Sequence, residues 1–230
     1  MTKTADKIIV ALDVPRRSAA LDLVKQLASE ISFFKVGLQL YTAAGPEIVR
    51  EILAKGAKVF LDLKLHDIPN TVGRAVESAG ELGVQMLTIH LSGGEAMIHE
   101  AVAARSNNLS LLGVTVLTSA GEPMLRQIGI GSTINEQVFR LAELGAKAGV
   151  DGLVASPQEV KALRAELGDN IKIVVPGVRP KWAAANDQRR LMTPRQALDA
   201  GADYLVIGRP ITSHPTPPEA VARIVEELSA

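Results

Sequence analysis

Residues 56–91 read GAKVFLDLKLHDIPNTVGRAVESAGELGVQMLTIHL. Two short apolar runs, Lys58 to Leu63 and Met86 to Leu91, flank a segment with helical spacing from about Asn70 to Leu82. Gly56-Ala57 and Gly83-Val84 precede the two runs. A glycine can end a helix in the left-handed conformation without steric cost, and the next residues then enter a strand. The stretch is therefore predicted to be strand, helix, strand. The same pattern extends in both directions. Towards the N-terminus lie Ile8-Ile9-Val10-Ala11-Leu12, a helix with Leu23, Val24, Leu27 and Ile31 on one face, then Phe33-Phe34-Lys35-Val36 and a helix through Ile48, Val49, Ile52 and Leu53. Towards the C-terminus a helix passes through Ala96 and Ile98. The fifth run, Leu111 to Leu117, leads to a helix from about Asn135 to Ala148. The sixth run is Gly152 to Ala155, with a helix starting at Pro157, a residue that costs no hydrogen bond in a first turn. Ile171 to Val175 is followed by a short helix after Pro194. Tyr204 to Ile207 is followed by a last helix carrying Val221, Ile224, Val225 and Leu228.

The glycine punctuation recurs at Gly149-Val150 and Gly201-Ala202. Most of the runs are continuously apolar, as strands buried on both faces must be. Eight strand–helix units in 230 residues predict an α/β TIM (β/α)8 barrel. No linker or shift in composition divides the chain, so residues 1–230 are expected to form one domain. An open doubly wound sheet would need a glycine-rich turn after the first strand, and Leu12-Asp13-Val14-Pro15-Arg16-Arg17 is not one.

Composition narrows the function. Hydrophobic residues make up 47% and charged residues 22%, as in an ordinary globular protein rather than a disordered chain or a coiled coil. With no cysteine there is no disulfide, thiolate nucleophile, zinc–thiolate site or iron–sulfur cluster. Lys and Arg number 25 and Asp and Glu number 25, a balance that argues against general binding to nucleic acid or membrane surfaces. Aromatics at 3% leave few platforms for stacking on single strands. No apolar run approaches the length of a membrane span. The opening MTKTADK is polar and runs directly into a strand, unlike a signal peptide.

In a TIM barrel the active site lies where the strands end, so charge at those ends is informative. Asp13 follows the first strand, Lys35 interrupts the second, and Asp62 and Lys64 close the third. Residues two apart on a strand point the same way. Lysine is rarely buried unless paired, and here each lysine has an aspartate within reach. A lone aspartate could be a loop charge. Four charges at three consecutive strand ends form an alternating Asp–Lys array that keeps all its members ionised. At the other side of the mouth, Gly177 and Arg179 follow the seventh strand and Gly208 and Arg209 the eighth. Phosphate sites of these barrels are built from those two loops. Glycine lets backbone N–H groups approach an anion, and arginine offers a planar fork for phosphate oxygens. After Arg179 the chain runs without clear structure to about Met192, long enough to be a lid.

Asp62-Leu63-Lys64-Leu65-His66-Asp67-Ile68-Pro69-Asn70-Thr71 resembles the signature of the orotidine 5′-phosphate decarboxylases. The Asp-x-Lys-x-x-Asp core is common to a wider barrel superfamily, whereas Ile-Pro-Asn-Thr is particular to this family. The likeness continues through Val10-Ala11-Leu12-Asp13, Phe34-Lys35-Val36-Gly37, Val116-Leu117-Thr118-Ser119, Val175-Pro176-Gly177-Val178-Arg179-Pro180, Asp187-Gln188-Arg189-Arg190 with Met192-Thr193-Pro194, and Ile207-Gly208-Arg209-Pro210-Ile211-Thr212, all in the family's order. The resemblance implies cofactor-free, metal-free decarboxylation of orotidine 5′-phosphate to UMP in pyrimidine biosynthesis, by a cytoplasmic homodimer. It gives Lys64 the role of stabilising and protonating C6, with Asp62 beside the departing carboxylate. Lys35 bridges the array and contacts the ribose, and Asp13 accepts from a ribose hydroxyl. Asp67 and Thr71 enter the neighbouring subunit's site. Thr118 reads the pyrimidine edge, although a threonine satisfying its local backbone is an alternative. Gln188 reaches both phosphate and pyrimidine, while Arg179, Gly208 and Arg209 hold the phosphate.

The four histidines, His66, His90, His99 and His214, show no metal-ligand spacing. Two rival functions share parts of the pattern. A magnesium-dependent sugar-phosphate decarboxylase or synthase would use Asp62, Lys64 and Asp67 but leaves Ile-Pro-Asn-Thr and Arg-Pro-Ile-Thr unexplained. A non-catalytic barrel that binds a phosphorylated ligand leaves two lysines among three aspartates unexplained.

Overall fold

The computed structural model describes residues 4–183 and 192–229. Its centre is a closed barrel of parallel strands in the order β1 to β8. These are β1 (Ile8–Ala11), β2 (Phe33–Gly37), β3 (Lys58–Leu65), β4 (Met86–His90), β5 (Ser110–Val114), β6 (Gly152–Val154), β7 (Lys172–Pro176) and β8 (Tyr204–Ile207). Closure comes from β1 pairing with β8 through Ile8 with Leu205, Ile9 with Val206 and Val10 with Ile207. The helices around it are α1 (Arg17–Leu27), α2 (Leu38–Ala44), α3 (Glu47–Ala54), α4 (Pro69–Glu81), α5 (Glu95–Ala103), α6 (Glu122–Gln127), α7 (Ile134–Ala148), α8 (Val160–Leu167), α9 (Pro194–Asp199), α10 (Arg209–Thr212) and α11 (Pro217–Ser229).

The unbroken apolar strands have two destinations. Ile8, Val10 and Leu12 face outward and join the core between barrel and helices, with Leu23, Val24 and Leu27 of α1 packed there too. Ile9 and Ala11 face inward, where Phe33, Phe60, Met86, Leu112, Val174 and Val206 complete a separate plug. Phe33 meets Tyr204 edge to face, with ring centroids 6.1 Å apart. Phe60 is 1% exposed, and emptying its place with alanine would cost about 3–5 kcal/mol. Because side chains alternate, the residue two beyond an inward apolar one sits one layer higher. Phe33 is thus followed by Lys35, Phe60 by Asp62, and Ala11 by Asp13. The plug is the dry floor of the mouth and the charges stand on it.

The predicted glycine punctuation is present. Gly56, Gly83, Gly149 and Gly201 all have positive φ, between 79° and 109°. Other boundaries moved for local reasons. The single helix expected before β3 is two, because Gly45 turns at φ 64° and Pro46 follows. β5 stops at Val114 rather than Leu117, so Thr118 stands on the following loop. A short helix not expected from periodicity, α6, lies beyond it. Pro157 is not in the first turn of a helix: α8 starts at Val160, after a turn in which the Glu159 carboxylate accepts the Ser156 N–H at 2.9 Å. β3 continues to Leu65 instead of ending at Leu63, at the cost of a register shift against β4 between Leu61 and Leu65.

Candidate active site

The C-terminal ends of the strands surround a cavity of about 510 Å³. Asp13, Lys35, Asp62 and Lys64 all line it. Lys35 Nζ donates to Asp13 Oδ1 at 2.9 Å and lies 3.4 Å from Asp62 Oδ2. Lys64 Nζ donates to the other Asp62 oxygen, Oδ1, at 2.8 Å. The four charges alternate in sign, as the sequence predicted. Asp62 stands at the centre, shared by both ammonium groups.

Burial pushes the Asp62 carboxyl up. The charges of Lys35 and Lys64, with hydrogen bonds from Lys64 and Thr88, outweigh that and hold it below the usual carboxylate range. The site therefore keeps a buried anion, which is tolerated only when paired and hydrogen-bonded. His90, at the end of β4, is driven the other way from a cation. Burial, then the neighbouring charge positions of His66 and Lys64, lower its pKa against the opposing effect of Asp62. The two imidazoles are in contact, with ring centroids 5.7 Å apart.

Lys64 reaches Asp62 by a route that flat-strand geometry did not predict. It has φ 51°, the one positive φ at a non-glycine among the described residues. Such a conformation at a lysine costs of order 1–3 kcal/mol and persists only where the surroundings hold it. Here it coincides with the register shift, so the Lys64 N–H leaves the strand ladder and donates to Thr88 Oγ1 at 2.8 Å. Thr88 is fully buried and in turn donates to Asp62 Oδ1 at 3.0 Å. Sequence reasoning missed Thr88. Its signal was a hydroxyl at an inward position between the apolar residues Leu87 and Ile89. Gly37 was also missed as a steric requirement: a Cβ there would lie 2.9 Å from Lys35 Nζ and 3.3 Å from Asp13 Oδ1.

Across the cavity stand Gly177, Arg179, Gly208, Arg209, Thr212 and Ser213. Gly177 has φ 80°, a conformation closed to most side chains. Arg179 is 8% exposed; its Nη1 donates to Val178 O and its backbone N–H to Met192 O at 3.0 Å, which ties the two ends of the strand-seven loop. Trp182, further along, takes the Arg223 guanidinium of α11 over its ring at 4.3 Å. Thr118 also lines the cavity. One wall thus carries the Lys–Asp array and the other two arginines and two glycines. Gln188 lies outside the described residues, as do Arg189 and Arg190.

Asp67 and Thr71 are not brought into this cavity. Both are exposed, on the β3–α4 loop and in the first turn of α4, and Asp67 Oδ1 accepts the Ile68 N–H at 2.7 Å. Ile68 beside them is 66% exposed, and Leu38, directly after β2, and Leu117, on the loop after β5, are exposed too. Among the described residues, no group of three or more His, Asp and Glu side chains is placed to hold a metal ion.

Residues 6–224 match the family model described as "Orotidine 5'-phosphate decarboxylase / HUMPS family". A curated relative from Heliobacterium modesticaldum, named orotidine 5'-phosphate decarboxylase, is 48% identical over 97% of this chain and 96% of its own. Another of that name, from Nitrosococcus oceani, is 50% identical over 97% of each chain. The crystal structure of orotidine 5'-phosphate decarboxylase from Lactobacillus acidophilus superposes with a TM-score of 0.86 at 35% identity, covering 98% of this chain and 100% of that one.

Proposed function

The chain belongs to the orotidine 5′-phosphate decarboxylase / HUMPS family, and on that premise we propose that its mouth decarboxylates orotidine 5′-phosphate to UMP without a cofactor, as a step of pyrimidine biosynthesis. The observation that carries the residue assignment is the Lys64 ammonium, 2.8 Å from Asp62 and facing a cavity with an apolar floor. The bond from C6 to the carboxylate breaks, CO2 leaves, and the electron pair stays in the ring plane, where the π system cannot take it up. The site must then supply positive charge already in position, which is worth most away from water. Lys64 faces that pair and transfers a proton to C6, giving UMP; solvent restores the ammonium. Asp62 holds Lys64 charged and oriented, and its own negative charge opposes that of the substrate carboxylate.

Lys35 and Asp13 take the ribose. Arg209, Arg179, Gly177 and Gly208 take the phosphate, with Gln188 spanning phosphate and pyrimidine, and Thr118 reads the pyrimidine edge. Binding energy from the remote phosphate can be used at the reacting carbon if it is realised more fully in the transition state. The working unit is a homodimer of one-domain subunits (residues 1–230) in the cytoplasm. In it Asp67 and Thr71 complete the neighbouring mouth. Their exposure next to Ile68, with Leu38 and Leu117 also exposed where the chain leaves β2 and β5, supports that arrangement. The test is the loss of orotidylate absorbance with and without EDTA. Turnover that survives chelation is expected. Turnover of a sugar phosphate alone, or only with magnesium, would overturn the proposal in favour of the magnesium-dependent chemistry of related barrels. Tight UMP binding without turnover would make the chain a binding protein.

A further inference from the structure

The bulge at Lys64 poses a mechanical question. The reacting ammonium hangs from a backbone in a conformation that costs free energy, and something must hold it there. The partner of its N–H is a side chain, not the strand ladder. Thr88 Oγ1 carries one proton. An ionised carboxylate can only accept, and an amide N–H can only donate, so the hydroxyl has one consistent orientation. It accepts from Lys64 N at 2.8 Å and donates to Asp62 Oδ1 at 3.0 Å. The same carboxylate oxygen receives Lys64 Nζ at 2.8 Å. Backbone N–H, hydroxyl, carboxylate and ammonium therefore close a ring that begins and ends on Lys64.

Resting on the decarboxylase reading above, we infer that Thr88 is a positioning residue for this reaction: its hydroxyl clamps the bulged Lys64 backbone to the Asp62 carboxylate and so fixes the ammonium against the reacting carbon. Thr88 does not line the cavity and need not touch substrate. Thr88 itself is fully buried, so the two hydrogen bonds of its hydroxyl are made away from water, where such bonds are stronger. Without the hydroxyl, the Lys64 N–H loses its partner and the bulge loses its support. Asp62 also loses one of the donors that keep it ionised. The groups facing Asp62 are Lys35 from β2, with Asp13 from the end of β1 behind it, Lys64 on its own strand, and His90 from β4 at longer range.

The test compares Thr88→Val, which keeps the shape, with Thr88→Ser, which keeps the hydroxyl. In folded Thr88→Val, kcat on orotidylate is expected to fall about ten- to a hundredfold with KM changed less than about threefold. The acid limb of kcat/KM, which reports the free enzyme, is expected to move to higher pH. Thr88→Ser is expected to recover most of kcat and return the acid limb to its wild-type position. A folded Thr88→Val with wild-type kcat and an unmoved acid limb would overturn the inference. So would Thr88→Ser losing as much as Thr88→Val, since the methyl group and not the hydroxyl would then matter. If Thr88→Val does not fold, Thr88→Ala is read by the same criteria. If the wild-type protein leaves orotidylate untouched, the proposed activity fails by itself. The clamp is then decided by carbon-13 NMR titration of Asp62, whose midpoint must rise on loss of the hydroxyl and stay in place in Thr88→Ser.

Discussion

The two ends of the barrel use the same kind of ion pair for different purposes. At the base, Asp151 and Asp203 each accept a backbone N–H from the start of the preceding strand, Leu111 and Ile173, both at 2.7 Å. Each also holds an arginine, Arg105 and Arg164, and each arginine reaches back to a glycine carbonyl, that of Gly149 or Gly201. Gln85 repeats the backbone part without the charge, taking the Val59 N–H at 2.7 Å. These three positions follow Gly83-Val84, Gly149-Val150 and Gly201-Ala202, so the glycine punctuation of the sequence marks a repeated clasp under β4, β6 and β8. At the mouth, Asp62 takes no backbone N–H. Two ammonium groups and a hydroxyl share it, and those two ammonium groups, of Lys64 and Lys35, also face the cavity. A base carboxylate satisfies the fold and is finished. The mouth array gathers charge from three strands and leaves some of it directed into the cavity.

That contrast breaks if mouth substitutions behave like base ones. The largest effect is expected for Lys64→Ala: turnover of orotidylate falls about 10³-fold or more while the thermal midpoint moves little, because a cation directed at the developing charge is removed and no backbone group is orphaned. A steady-state assay beside a thermal melt checks it, and substantial turnover by the folded variant would remove Lys64 from its role. Arg209→Ala comes next, with kcat/KM down about ten- to a hundredfold and KM raised, again without loss of stability. Unchanged kcat/KM would mean the phosphate is held elsewhere.

Asp203→Ala should show the opposite profile. It leaves Arg164 and the Ile173 N–H without their carboxylate, for about 1–2 kcal/mol after allowing for the partial exposure of Asp203. That is several degrees in Tm for a chain of this size, with kcat unchanged. A normal Tm would show that water replaces the carboxylate at no cost. Gly37→Ala is smaller: the added Cβ meets the far end of Lys35, so stability should hold while kcat/KM drops about threefold to tenfold as that ammonium is displaced. Wild-type kinetics would mean Lys35 can lie elsewhere and still serve.

The finest distinction is in pH. Asp62 is held below its ordinary pKa when folded, so the stability it contributes is complete above the ordinary carboxylate range and is lost as pH falls through the lowered value. His90, also lowered, works in the same direction higher up: the fold loses stability as pH drops from the ordinary histidine range through the folded value. Urea melts as a function of pH should show both slopes. Asp62→Asn should flatten the lower one, leaving what Glu51 and Glu136 contribute, since Arg17 and the Thr133 cap hold those carboxyls low as well, and should keep the upper.

The strand and helix pattern was legible in the chain because burial on both faces needs continuous apolar runs and glycine is the cheapest way out of a helix. Charge at the strand ends was legible because nothing else places Asp13, Lys35, Asp62 and Lys64 directly after apolar runs. Thr88 was not legible. One hydroxyl in an apolar strand looks like any buried threonine until a partner strand brings an off-ladder amide and a carboxylate to it. The ends of β3 and β5 misled for a related reason, since a bulge and an early loop arise from pairing with a neighbour rather than from the strand's own residues. The sequence by itself determined the eightfold barrel and the alternating charges of the mouth, because side-chain period and burial are local properties. Only the tertiary structure decided that Asp62 sits between two ammonium groups, that Lys64 is held in a left-handed turn by Thr88, and that Asp67 and Thr71 lie outside their own chain's cavity, because those depend on which strands are neighbours and in what register.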